Sequence, residues 1–168
     1  LRYTKSFQKH DKTRYDEYLS NVRAGKEKIN VACIYPHELC NRALINYDET
    51  IQLQWDTMLD GLKKSANLGK SLAIIDVSGS MHGLPIDVAV SLGLIISELA
   101  PEPFTGKFIT FSNDPELHKI TGNTLHDKLN SIKKSKWEMN TDLYKVFKLL
   151  LDNAQLFNIR QDMFPETL

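Results

Sequence analysis

Apolar residues follow a helical period in the first part of this chain and a strand-like one after residue 71. In "KTRYDEYLSNVRA" (12–24), Tyr15, Tyr18, Leu19 and Val22 recur at helical spacing, and Gly25 supplies a C-terminal stop. Pro36 suits the first turn of a short helix carrying Leu39, Ala43 and Leu44. A third amphipathic helix is predicted over 49–65, with Ile51, Trp55, Met58, Leu59 and Leu62 on one stripe, broken by "ANLGK". The first 68 residues thus read as a helical lead-in segment without a catalytic constellation.

From Ser71 the pattern changes. "SLAIIDV" (71–77) is a short continuous apolar run, as expected of a parallel strand covered on both faces. A strongly apolar helix is predicted from Pro85 or Ile86 to Leu99, stopped by Pro101 and Pro103. "KFITF" (107–111) and "ELHKIT" (116–121) read as further strands, separated by a turn at Asn113, Asp114 and Pro115. Thr124 with Asp127 approximates a capping box at the start of a short helix. A long helix over 142–156 carries Leu143, Val146, Phe147, Leu150 and Ala154 on its stripe. Strand, helix, strand, strand, helix, helix predicts an α/β open sheet over residues 69–168.

Charge is balanced, 21 basic against 21 acidic residues, so no whole-chain footprint for nucleic acid or anionic membrane exists. No apolar run approaches the roughly 20 residues of a membrane span, and the start has no signal-peptide core. The expectation is an intracellular, cytoplasmic protein without a membrane partner. The first residue, Leu1, suggests a piece of something longer. Cys33 and Cys40 bracket His37 in "CIYPHELC", but a fourth ligand and paired C-x-x-C spacing are missing for zinc. Two thiols packing as small hydrophobes is the preferred reading.

The chemistry concentrates in "AIIDVSGSM" (73–81), where an apolar strand ends in Asp76, Ser78 and Ser80. A helix cap or an Asx turn explains one or two of these oxygens. A nucleophilic serine fails because G-x-S-x-G is not met. "GKS" (69–71) is no P-loop, since Lys64 stands where the upstream glycine is required. A hard divalent cation uses all three groups: alternate side chains of an extended segment face one way, and strand carboxyl ends are where open α/β sheets bind ligands. One carboxylate and hydroxyl oxygens suit Mg²⁺, which keeps several waters. Gly79 would let the backbone turn between the serines.

"DVSGSM" resembles the Asp-x-Ser-x-Ser signature of von Willebrand factor A-type domains, from which a metal-ion-dependent adhesion site is built. The resemblance implies an open, mostly parallel sheet with helices on both faces, truncated at its C-terminus. It also implies a metal site of Asp76, Ser78, Ser80 and, from "MNTDLYKVF", Thr141. The closing aspartate of that family is absent; Asp162 is the nearest acid and stands in another context. Mg²⁺ or Mn²⁺ is therefore expected to bind weakly or not at all. Longer stretches, among them "YLSNVRAGKEKINVACIYPHEL", "QWDTMLDGL", "GKFITFSNDPELHKITG" and "WEMNTDLYKVFKLLL", resemble an uncharacterised family (a domain of unknown function) of plants and giant viruses. A more distant likeness is to the Ro ribonucleoprotein proteins.

The function this implies is a divalent-metal-dependent protein-interaction module, scaffold- or adhesion-like, whose partner offers an acidic residue to the metal. His82 stands beside the site, either touching a partner or solvated. The alternative is an RNA- or ribonucleoprotein-associated scaffold using Lys128, Lys133, Lys134, Lys136 and Trp137. A metal-assisted hydrolase would want a general base and a second metal cluster, which the sequence does not offer; the chain is not expected to be an enzyme.

Overall fold

A computed structural model describes residues 4–65, 68–112, 114–135 and 142–168. The helices are α1 (Thr4–His10), α2 (Lys12–Arg23), α3 (Pro36–Asn46), α4 (Glu49–Ser65), α5 (Leu84–Leu99), α6 (Leu125–Lys133) and α7 (Leu143–Leu156). The strands are β1 (Ala73–Asp76), β2 (Lys107–Phe111) and β3 (Leu117–Lys119). The architecture is mixed α/β, and the sequence period anticipated most of it. α1 was not anticipated: "TKSFQKH" carries a single large apolar residue, Phe7, and so shows no stripe.

Local chemistry sets the element ends. The Oδ1 of Asp11 accepts the Arg14 N–H at the start of α2, and Gly25 follows its end with φ +69°. Pro36 opens α3, where the Glu38 carboxylate accepts the Tyr35 N–H at 3.3 Å. At α6 the expected capping box is present: Thr124 Oγ1 accepts the Asp127 N–H at 3.1 Å, and Asp127 accepts the Thr124 N–H. α5 begins one or two residues earlier than the apolar run predicts, at Leu84, with Gly83 (φ +86°) as its N-cap.

The three strands form one sheet in the order β1-β2-β3. β1 and β2 are parallel, with Asp76 opposite Phe111; β2 and β3 are antiparallel, with Phe108 opposite His118. Among the described residues the sheet is thus mixed, where a mostly parallel one was expected. β1 and β3 are shorter than their apolar runs, and ahead of β1 Ser71 forms only an isolated parallel bridge, to Thr167. That bridge places Thr167 beside the edge of β1 away from β2, with the Thr167 carbonyl accepting the Leu72 N–H at 3.1 Å.

Strand alternation divides the core between the two faces of the sheet. Ala73, Ile75 and Phe108 point to a cluster shared with Leu39, Trp55, Leu94 and Leu129 of the surrounding helices. Leu72 and Ile109 point to a second cluster with Val146 and Leu150 of α7. α3 and α4 therefore share a core with β1 and α5. Polar bonds reinforce the packing: Asn41 Nδ2 donates to Asp87 Oδ2 at 2.8 Å, and Gln52 Oε1 accepts the Leu125 N–H at 2.7 Å. Only part of the predicted α7 stripe is interior. Val146 and Leu150 are buried, whereas Leu143 and Phe147 are about half exposed, at 52% and 48%.

Candidate metal centre

Asp76 is the last residue of β1 and lies half-buried at its carboxyl end. Ile75 and Val77, its neighbours, are interior, so alternation turns Asp76 to the face that carries Leu72 and α7. Ser78 continues the extended chain (φ −62°, ψ 157°), and a single 3₁₀ turn, Gly79–Met81, follows. Ser80 therefore reaches Ser78 through a turn, where plain extension was expected; the two Oγ atoms lie 3.0 Å apart. The Oδ1 of Asp76 accepts the Ser78 N–H at 2.9 Å, an Asx-type bond that folds the loop back on the carboxylate. The left-handed glycine of this loop is Gly83, not Gly79.

The structure thus brings Asp76, Ser78 and Ser80 into one loop at a strand end. Neither serine caps α5, which starts after Gly83 without a side-chain cap bond. Thr141 lies outside the described residues. Asp142, the next position, caps α7 by accepting the Lys145 N–H at 3.2 Å. Lys145 Nζ in turn meets Asp114 Oδ1 at 3.0 Å, tying the N-terminus of α7 to the segment after β2. Since β2 ends at Phe111, opposite Asp76, this tether lies at the same edge of the sheet as the DVSGSM loop. Nothing in the sequence signals it, because the pair joins residues 31 positions apart.

The arrangement offers hard oxygen donors and one carboxylate. Among the described residues no three His, Cys, Asp or Glu side chains gather at one point, so a cation here would rely on hydroxyls and water. Asp162 is turned to other use, its carboxylate held by the Arg160 guanidinium at 2.9 and 2.5 Å.

The other candidate chemistry is dispersed. Cys40 is buried in the core, and burial pushes its thiol up to about 12, whereas Cys33 is exposed. The expectation that both thiols pack as hydrophobes is therefore corrected for Cys33. His37 stacks on Tyr35 with centroids 5.6 Å apart. Of the lysines grouped for RNA, Lys128 is instead bound to Glu98, with Nζ 2.7 Å from Oε2. Lys133 and Lys134 are exposed at the end of α6, and Lys136 and Trp137 lie outside the described residues. No helix among the described residues is long and apolar enough to cross a membrane.

Comparison with known proteins places the chain in a family. The Domain of unknown function (DUF2828) matches residues 1–68, and the Domain of unknown function (DUF7788) matches residues 70–167. Uncharacterized protein L728 of Acanthamoeba polyphaga mimivirus is 37% identical over 158 residues, which cover 93% of this chain and 28% of that protein. The chain thus spans little more than a quarter of that relative's length. No solved structure matches. An uncharacterised family with a giant-virus member is what the sequence resemblance implied. With more than half of its residues matched, the chain belongs to the family described as Domain of unknown function (DUF7788).

Proposed function

We propose that the loop Asp76–Ser80 is a divalent-cation site of von Willebrand A type, through which the protein binds an acidic group of a protein partner. The observation that carries the reading is the loop itself: Asp76 at a strand carboxyl end, with the Ser78 and Ser80 hydroxyls drawn to 3.0 Å by the following turn. Asp76 would anchor the ion by charge, the serines would supply neutral oxygens, and Thr141 would join them. A single carboxylate leaves the ion with residual positive charge and exchangeable waters, one of which a partner's Asp or Glu can replace. The parallel β1-β2 pair, the antiparallel β3 and the helices on both faces support a von Willebrand A-like sheet. The role is binding, without a chemical step. Mn²⁺ titration followed by paramagnetic broadening of the backbone amide signals at 76–80 tests it, with Asp76→Ala as control. Broadening that survives Asp76→Ala, or none in the wild type, overturns the reading.

A further inference from the structure

Far from the DVSGSM loop in the chain, α1, α2, α4 and residues 27–30 border an open pocket of about 800 Å³, the size of pockets that hold small ligands. Gln54 of α4 lines it and is 4% exposed. Its Oε1 is the one buried side-chain acceptor among the described residues without a partner, and its Nε2 makes only a long bond, 3.4 Å, to the Asn30 carbonyl. An unpaired buried acceptor costs roughly 1–3 kcal/mol, and because this oxygen is covered, a donor would reach it as the Gln54 amide turns toward the pocket.

The rest of the lining narrows what that is. Phe7, Tyr15 and Tyr18 supply aromatic surface, and the Tyr15 hydroxyl is engaged with Thr50 Oγ1. Glu17, Glu27 and one cation, Arg14, also line it, with the Glu27 carboxylate accepting the Asn21 side-chain N–H at 3.2 Å. Burial, and to a lesser degree the Glu27 carboxylate, raise the Tyr18 phenol above its ordinary value. Aromatic faces, excess carboxylate and an idle acceptor are complementary to a flat cation rich in N–H groups.

We propose that this pocket binds a guanidinium group, either of a free arginine-like compound or of an arginine side chain in a peptide. The site shares no residue with the metal loop and stands independently of it.

The test follows the Tyr15 and Tyr18 ring signals by NMR during titration with N-acetylarginine amide, an arginine-containing tripeptide, and N-acetylcitrulline amide. Citrulline keeps the shape of arginine, but a carbonyl oxygen replaces one NH2 group, which removes the charge and leaves fewer N–H donors. Saturable shifts with the arginine compounds, and binding at least about tenfold weaker for citrulline, are expected; that ratio corresponds to about 1.4 kcal/mol. Glu17→Gln, at an exposed position that leaves the fold intact, weakens binding severalfold, and Gln54→Leu weakens it further. Tighter binding of the tripeptide than of the single residue assigns the site to a peptide partner; equal binding assigns it to a free compound. No saturable shift in the wild type, equal affinity for citrulline, or binding unchanged in both variants overturns the proposal.

Discussion

Lys128 Nζ on α6 lies 2.7 Å from Glu98 Oε2 on α5, and both side chains are largely withdrawn from water, 21% and 17% exposed. The other oxygen of Glu98 accepts the Trp55 indole N–H at 3.2 Å, so one carboxylate joins α4, α5 and α6. Removing it strands an ammonium and an indole donor in a poorly hydrated place. Glu98→Ala is expected to cost about 2–4 kcal/mol, between the loss of a charged hydrogen bond and that of a fully buried pair. In urea unfolding, the double variant Glu98→Leu/Lys128→Met should recover much of that loss, because an apolar pair leaves no charge unpaired.

At Gly93, α5 packs directly against Ile75 of β1. A Cβ there would stand 2.4 Å from Ile75 Cδ1 and 2.6 Å from Cγ1. Alanine is the better helix former by about 1 kcal/mol, so on propensity alone Gly93→Ala would stabilise. The clash with a fully buried isoleucine should win, lowering stability by about 1–3 kcal/mol as overpacking does. Thermal unfolding checks this, and adding Ile75→Val should restore part of the loss.

His118 is half-buried, stacked on Phe108 at 5.1 Å, with Nε2 3.2 Å from Thr110 Oγ1. Burial holds its pKa below the ordinary 6.5, against the smaller opposing pull of Glu116. The fold therefore favours the neutral ring. The stability this contributes is present above pH 6.5 and is lost as pH falls from there through the lowered folded value. Melting temperature measured across that range should fall more steeply for the wild type than for His118→Gln, which cannot take up the proton.

The two thiols should separate kinetically. Cys33 is exposed, while Cys40 is buried in the core with its pKa pushed up to about 12, leaving almost no thiolate at neutral pH. A thiol reagent such as DTNB should modify Cys33 at once and Cys40 only on unfolding. Prompt reaction of both would contradict the packing of Cys40 between α3 and its neighbours.

Much of this architecture was legible in the residues because its causes are local. The Thr124–Asp127 capping box, the stop at Gly25 and the end of β1 at Asp76 each depend on groups within a few positions. The DVSGSM loop was legible as a cluster of oxygens, yet the route by which Ser80 reaches Ser78 was not. Alternation alone does not foresee the 3₁₀ turn at Gly79–Met81. For α7, periodicity marked an apolar stripe but not which part of it faces the sheet, so half-exposed Phe147 looked like core.

The sequence alone determined the helical and strand segments other than α1, the α/β class and the position of the candidate metal loop, since propensity, capping and periodicity act over one or two turns. Tertiary structure decided the pairings between distant positions. It committed Lys128 to Glu98 and not to a basic patch, set Thr167 beside Ser71, and tied Lys145 to Asp114 at the edge where Asp76 ends its strand. It also left Gln54 Oε1 facing no partner. Such contacts are chosen by which surfaces meet when the two faces of the sheet are covered, and no short stretch of chain carries that information.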